Sequence, residues 1–246
     1  MNVAVVTGGN KGIGLGISKE LLKNNYKVIV GGRSSYEDRE SFAKIDFIKA
    51  DLASYDGHKQ LAETAIKKYG KLNLYVNNVG ISEWKPIKEV DEHFLNKLIK
   101  TNLYSAFWGC KVAEKFLSEN SSIINISSIA GKRGSKNNSV YVATKFAMNG
   151  LTQSLAKELG SKKIRVNAIC PVLIKTEGLI QALNQNYSPV ESTLDNFFGD
   201  FQKSQTALNR LPTSEEVASM VVFLASESAS AITGQCINVD CGVFPQ

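Results

Sequence analysis

The sequence predicts a doubly wound α/β fold, a parallel sheet of about seven strands with helices on both faces. Three observations carry that expectation. Short β-branched runs alternate with helix-period segments from end to end, the pattern of strands joined by helical crossovers. The strands are apolar throughout rather than alternating, as a sheet covered on both faces requires. A glycine-rich turn, Thr7-Gly8-Gly9-Asn10-Lys11-Gly12-Ile13-Gly14, follows the first strand and opens the first helix.

Taken in order, Val3–Val6 reads as a strand and Ile13–Asn24 as a helix. Strands follow at Lys27–Val30 and Phe47–Ala50, then a helix near Lys59–Tyr69 and a strand at Leu72–Val76. Helical patterns cover Asp91–Leu117, and Ser122–Ile126 is the fifth strand. A long helix over Tyr141–Leu159 leads to a strand at Ile164–Ile169. Ser214–Ala225 is helical and Cys236–Val239 is the last strand. The stretch from Lys175 to Pro212 lacks strand character and mixes polar with aromatic residues. It is expected as one long irregular segment, and segments of that length in compact domains commonly cover a functional site.

Composition narrows the function classes. The 246 residues are 43% hydrophobic and 21% charged, too apolar for a disordered chain. One domain over residues 1–246, with the 175–212 segment as an insertion that covers substrate, accounts for the length. No apolar run approaches the ~20 residues of a bilayer span, so a membrane role is not expected. The N-terminus lacks a secretory pattern, which favours the cytoplasm. Cys110, Cys170, Cys236 and Cys241 are scattered and only two histidines are present. Reduced thiols are therefore expected, with neither a metal site nor a disulfide framework. The formal charge of +6 is dispersed. It reads either as a solvated surface or as a field that attracts an anionic ligand. No basic helix suited to nucleic acid is visible.

The glycine turn is a candidate dinucleotide site. Glycines let the backbone approach a pyrophosphate, and amides at a helix N-terminus can face it. A tight structural turn is the alternative. An acid at the end of the second strand would select the 2′-hydroxyl of NAD. The chain instead has Gly31-Gly32-Arg33-Ser34 there. Arg33 can fork onto a 2′-phosphate and Lys11 can add a second cation, which favours NADP(H) unless both are merely solvated. Asp51, with Leu52 after the third strand, is placed to meet an adenine ring.

The densest chemistry is a Ser, Tyr and Lys set. Tyr141 and Lys145 share one helix face. A free phenol has a pKa of about 10. An ammonium at ~5 Å contributes roughly 3 kcal/mol, which lowers that value by ~2 units. Tyr141 is then expected to be unusually acidic and to serve as general acid or base. Ser128 can hold a substrate oxygen and stabilise charge on it.

Together the glycine turn, Asn77-Asn78-Val79-Gly80, Ser127-Ser128 and Tyr141-Val142-Ala143-Thr144-Lys145 resemble the compact members of the short-chain dehydrogenase/reductase family. The spacing of thirteen residues to Tyr141 selects Ser128 over Ser127. The resemblance covers residues 3 to about 242. It implies a single Rossmann domain and an NADP(H)-dependent oxidoreductase that interconverts a ketone and a secondary alcohol, of the 3-oxoacyl-acyl-carrier-protein reductase type. It implies a catalytic set of Asn102, Ser128, Tyr141 and Lys145, with Asn102 ordering a water behind the lysine. It further implies cofactor contacts from Gly8, Asn10, Lys11, Gly12, Ile13, Gly14, Arg33, Ser34, Asp51, Leu52, Asn78, Val79, Gly80, Tyr141, Lys145, Pro171, Ile174 and Thr176. Val172 and Cys241 replace glycines usual in the family, which puts the local backbone there in question.

Substrate contacts are expected from Ser128, Tyr141, Trp84 and Arg133. The basic turn Lys132-Arg133-Gly134-Ser135-Lys136 either meets an anionic tail or acyl carrier, or is a solvated loop. The substrate is thus a small molecule or a carrier-bound acyl group, either a 3-oxoacyl thioester or a small polar or anionic keto compound. The rival readings are a sugar or polyol dehydrogenase, a nucleotide-sugar epimerase or dehydratase, and a non-catalytic NADP-binding sensor or interaction protein. The resemblance also implies a homo-oligomer, a dimer or tetramer. The outer positions Ala147, Leu151 and Leu155 are available for packing within or between subunits.

Overall fold

The computed structural model of the chain describes residues 1–34 and 44–245. Seven strands form one parallel sheet: β1 (Val3–Thr7), β2 (Lys27–Gly32), β3 (Ile45–Lys49), β4 (Leu74–Asn77), β5 (Ser122–Ile126), β6 (Arg165–Pro171) and β7 (Cys236–Val239), in spatial order β3-β2-β1-β4-β5-β6-β7. The fold class expected from the sequence is the one found. The chain winds outward from β1 in one direction, then returns to β4 and winds the other way. That reversal opens a crevice beyond the carboxyl ends of β1 and β4, where ligands bind in open α/β sheets.

Alternation along β1 divides the core. Ala4 and Val6 face one side with Val28, Val30, Leu74 and Val76. That side packs α1 (Gly12–Lys23) through Ile17 and Leu21, and α8 (Ser214–Ala225) through Val217 and Val221. Val3 and Val5 face the other side with Ile29, Tyr75 and Ile123. There they meet α2 (Tyr55–Tyr69), α4 (Ser105–Phe116) and α5 (Ser139–Leu159). Leu151 and Leu155 of α5 also pack onto this core, so those two serve packing within the chain.

Several element ends differ from the expectation for identifiable reasons. β3 begins at Ile45, which enters register with Val28. α2 begins at Tyr55 because Ser54 caps it, its hydroxyl accepting from the Gly57 N–H at 3.2 Å. The helical span beginning near Asp91 is broken. α3 (Glu92–Leu98) passes into a π-helical turn over Ile99–Tyr104 before α4 resumes. The segment expected to be irregular over 175–212 contains two helices, α6 (Glu177–Leu183) and α7 (Leu194–Gln205). Thr176 and Thr193 cap them by accepting from Leu179 and Asn196 N–H groups. Their apolar residues form a small core of their own, in which Leu183 and Phe198 are buried.

The two replaced glycines behave differently. Val172 does not have a positive φ, and its N–H donates to Val239 O at 3.3 Å, so the backbone there takes an ordinary conformation. Cys241 has φ +56°, a left-handed conformation that costs a non-glycine residue about 1 kcal/mol. All four cysteines are free. Among the described residues no helix is long and apolar enough to cross a membrane.

Candidate active site at the carboxyl edge of the sheet

The glycine turn is clamped from β4. Gly8 has φ +62°, and a side chain at Gly14 would collide with the Gly8 carbonyl. This is the close approach that only glycine permits. Asn78 holds the turn: its Nδ2 donates to Thr7 O at 3.0 Å and to Gly8 O at 3.2 Å. The Thr7 hydroxyl accepts from the Asn78 and Val79 N–H groups at 2.9 and 3.3 Å. Thr7 was not singled out from the sequence, and its position directly before the glycines is the one signal that marks it.

Beyond the turn, α1 begins without a side-chain cap and without an acid in its first turn. Its N-terminal amides and dipole are therefore suited to an anion. Gly12 faces this end, and a Cβ there would lie 3.4 Å from Thr176 Cγ2. Thr176 and the glycine turn thus border one space. The side chains of Ile13 and Ile174 join the apolar core. Asn10 Nδ2 donates to Ser34 O at 2.9 Å, tying the turn to the end of β2, where Arg33 and Ser34 are exposed. Lys11 is exposed on the turn itself. Asp51 is exposed too, and its Oδ1 accepts from the Ala53 N–H at 3.0 Å.

Tyr141 and Lys145 occupy one face of α5, with Lys145 Nζ 5.7 Å from the centre of the Tyr141 ring. Nζ donates to Ile126 O at 2.9 Å. A Cβ on Gly80 would stand 3.5 Å from both Lys145 Nζ and Asn102 Oδ1. That open face of Gly80 is a space a side chain would fill. Ser128 begins a short 3₁₀ turn, its Oγ accepting from Ala130 N–H at 3.1 Å. It also hydrogen-bonds the Tyr141 side chain, and it approaches Pro171 O at 3.5 Å.

Asn102 lies in the π-helical turn. Its Oδ1 accepts from Ile81 N–H at 2.8 Å, and its Nδ2 donates to Ile81 O at 3.0 Å and Thr144 Oγ1 at 3.2 Å. The Thr144 hydroxyl donates onward to Tyr141 O at 2.7 Å. Asn102 therefore fastens the segment after β4 to the helix that carries Tyr141. The π turn is what aims its buried side chain inward, and it was not visible in the helical periodicity.

Electrostatics correct one expectation. Tyr141 is not acidified here. Burial pushes its phenol above the usual value, and the Ser128 hydrogen bond only partly opposes this. Burial also lowers Lys145, to about 8.

The expected substrate contacts are dispersed. Trp84 is packed in the apolar cluster with Leu183 and Phe198. It borders a cleft of about 450 Å³ shared with Phe94, Asn184 and Tyr187. Lys132 turns inward and donates to Cys236 O at 2.5 Å, while Arg133 is half-buried. Val172 is buried with Ile129 and Val243, next in sequence to Pro171 and Ser128 respectively for the first two. This apolar grouping beside Ser128 was not among the expected substrate contacts.

The clamped glycine turn, the uncapped α1 N-terminus, the exposed Arg33 and the open face of Gly80 beside Lys145 fit an extended dinucleotide. Known proteins agree with this reading of the fold. Residues 8–244 match the family described as Enoyl-(Acyl carrier protein) reductase. L-2,3-butanediol dehydrogenase of Corynebacterium glutamicum is 34% identical over 255 residues, covering 98% of each chain. A 3-oxoacyl-(acyl-carrier-protein) reductase of Chlamydia muridarum is 35% identical over 255 residues, covering 98% of this chain and 96% of that one. Among solved structures, ligand-free aldohexose dehydrogenase of Thermoplasma acidophilum superposes with a TM-score of 0.90 at 30% identity. That match covers 100% of this chain and 97% of the other.

Proposed function

The chain belongs to the short-chain dehydrogenase/reductase family of oxidoreductases, and from that premise we propose that it interconverts a ketone and a secondary alcohol using NADP(H). The observation that carries the proposal is the linked set in which Ser128 hydrogen-bonds Tyr141, Lys145 Nζ lies 5.7 Å from the Tyr141 ring centre, and a Cβ on Gly80 would stand 3.5 Å from that same Nζ. Bound in that cleft, the nicotinamide would supply or take up the hydride.

The protein's own work is proton handling and placement. Ser128 Oγ donates to the substrate oxygen and Tyr141 delivers a proton to it in reduction, or removes one in oxidation. Burial holds the phenol above its ordinary pKa, so it is protonated at neutral pH, the form that can deliver a proton. Lys145, anchored on Ile126 O, orients the cofactor ribose. Asn102 keeps Gly80 and α5 in register. Arg33, aided by Lys11, meets the 2′-phosphate, and Asp51 meets the adenine.

The substrate is a 3-oxoacyl thioester or a small polar or anionic keto compound, with a sugar or polyol as the second reading. The relatives' names span these classes, from a butanediol dehydrogenase to an acyl-carrier reductase. The protein works in the cytoplasm as a dimer or tetramer. Exposed aromatic side chains on α4 and α5, Phe107 and Phe146, support self-association. A non-catalytic sensor is disfavoured because the four catalytic positions are filled. The test is NADPH oxidation measured over 3-oxoacyl thioesters, keto sugars and small diketones. No turnover with any of them, in a protein that binds NADPH, would refute the proposal.

A further inference from the structure

The Asp51–Leu52 turn, assigned above to the adenosine end of the cofactor, has its own support in the core. The turn follows β3; the Leu52 side chain is buried in the core, and a buried side chain on α2 reaches its carbonyl. His58 on α2 is wholly buried. Its Nε2 lies 2.9 Å from Leu52 O and its Nδ1 lies 2.8 Å from the Tyr75 hydroxyl. A carbonyl only accepts, so Nε2 carries the proton, and Nδ1 accepts from Tyr75. The ring is neutral in this arrangement, consistent with burial that lowers its pKa to about 4.

Tyr75 is equally buried and belongs to β4, paired with Val5 and Ile123. Three residues later the same strand delivers Asn78, the clamp on the glycine turn. One relay therefore runs from Leu52 O through His58 and Tyr75 into the strand that fixes the pyrophosphate end. Helix α4 closes over the relay at Gly109, where a Cβ would stand 3.1 Å from His58 Cε1. Glycine at 109 is what lets α4 approach the imidazole this closely.

We infer that His58, donating to Leu52 O and held by Tyr75, is a positioning residue that sets the Asp51–Leu52 turn for the adenosine end of the cofactor. This rests on the cofactor reading proposed above. His58 reaches no reacting atom. It acts through Leu52, whose peptide it fixes relative to β4.

The test is calorimetric binding of 2′,5′-ADP and 5′-ADP, which report the adenosine end without catalysis. Wild type is measured first, then His58→Leu, Tyr75→Phe and His58→Gln. Loss of one buried hydrogen bond of this kind should weaken binding about tenfold in His58→Leu and Tyr75→Phe. His58→Gln keeps a donor and an acceptor and should restore affinity to within about threefold of wild type. In turnover, KM for the dinucleotide should rise in the first two variants while kcat changes by less than about twofold. Tyr75→Phe keeps the ring packing and carries the test where His58→Leu fails to fold. Folded variants that bind the nucleotide as tightly as wild type, with only a lower melting temperature, would reduce His58 to core packing and overturn the inference. Wild type that binds neither nucleotide would overturn the cofactor reading itself, and that result appears before any variant is made.

Discussion

Lys145 Nζ stands 5.7 Å from the centre of the Tyr141 ring, and both groups are shifted toward their neutral forms by burial. Of the two, the lysine carries the buried charge that folding disfavours. Displacing a lysine from 10.5 to about 8 corresponds to roughly 3 kcal/mol against the folded state. The sign follows from the depressed value. Below about pH 8 the folded protein must hold an ammonium it disfavours, and the cost is relieved as pH rises toward 10.5. Lys145→Met should therefore stabilise the apoprotein at pH 7. Loss of the bond to Ile126 O returns about 1 kcal/mol, leaving a net gain of about 2. Urea unfolding at pH 7 and pH 10 checks this, with the gain shrinking at the higher pH. Activity should be lost in the same variant. A variant less stable than wild type at pH 7 would show that the buried amine is not under strain.

Tyr141→Phe removes the proposed proton donor and leaves the ring. Turnover should fall at least ~100-fold, the scale of general acid catalysis. NADPH affinity should stay within a few-fold, because the phenol contributes little to binding the dinucleotide. Stopped-flow turnover and fluorescence titration measure the two separately. Retained turnover would assign proton transfer to another group.

Arg33 is exposed at the end of β2, beside the Ser34 carbonyl that Asn10 fixes. Arg33→Asp places a carboxylate where the 2′-phosphate is proposed to lie. The variant should lose NADPH affinity and shift its kcat/KM ratio toward NADH by at least ~100-fold, the combined effect of a lost cation and an added like charge. Steady-state kinetics with each nucleotide decide it. An unchanged preference would place the phosphate elsewhere.

The strands were legible because they are short and mostly apolar, and the order of strand and helix implies parallel pairing; β3, with the charged Asp46 and Lys49, is the least clear, and its start was not legible. The site was legible where one residue type carries the chemistry: Gly8 and Gly14 by their steric necessity, Tyr141 and Lys145 by spacing on one helix face. Three features were not. The π turn at Asn102 leaves hydrophobic periodicity intact, so α3 and α4 read as one helix. The helices at 177–183 and 194–205 are capped by threonines and pack their apolar residues on a small separate core rather than on the sheet, so the mixed polar and aromatic sequence does not announce them. The Tyr141 shift depends on burial, which a Coulomb estimate from sequence spacing leaves out.

His58 gives a pH dependence of stability. Its folded pKa is about 4 against 6.5 for a free imidazole. Above pH 6.5 the ring is neutral folded and unfolded. As pH falls toward 4 the unfolded chain takes up a proton that the folded chain refuses, so stability is lost across that window, by roughly 3 kcal/mol. Carboxylates contribute to any acid transition, so the quantity to compare is the difference between wild type and His58→Gln. Wild type should lose more stability than the variant between pH 6.5 and 4.5 in thermal unfolding. Parallel curves would show that His58 is protonated without cost.

Val172 offers the most direct handle on the substrate. Its side chain is buried against Ile129 and Val243, and the preceding Pro171 carbonyl lies 3.5 Å from Ser128 Oγ. On the proposed role of Ser128, the apolar grouping that includes its neighbour Ile129 limits the size of the substituent beside the substrate oxygen and offers it no charge. Val172→Gly opens that wall at the cost of stability, about 2–3 kcal/mol for the lost packing and the freer backbone. The ratio of kcat/KM for a branched ketone to that for its methyl counterpart should rise about tenfold, the discrimination expected of one or two apolar groups. Because both ketones are measured on the same enzyme, a general loss of stability or cofactor affinity cancels from the ratio. A ratio that stays at the wild-type value would mean the substituent points away from Val172, toward the cover helices and Trp84.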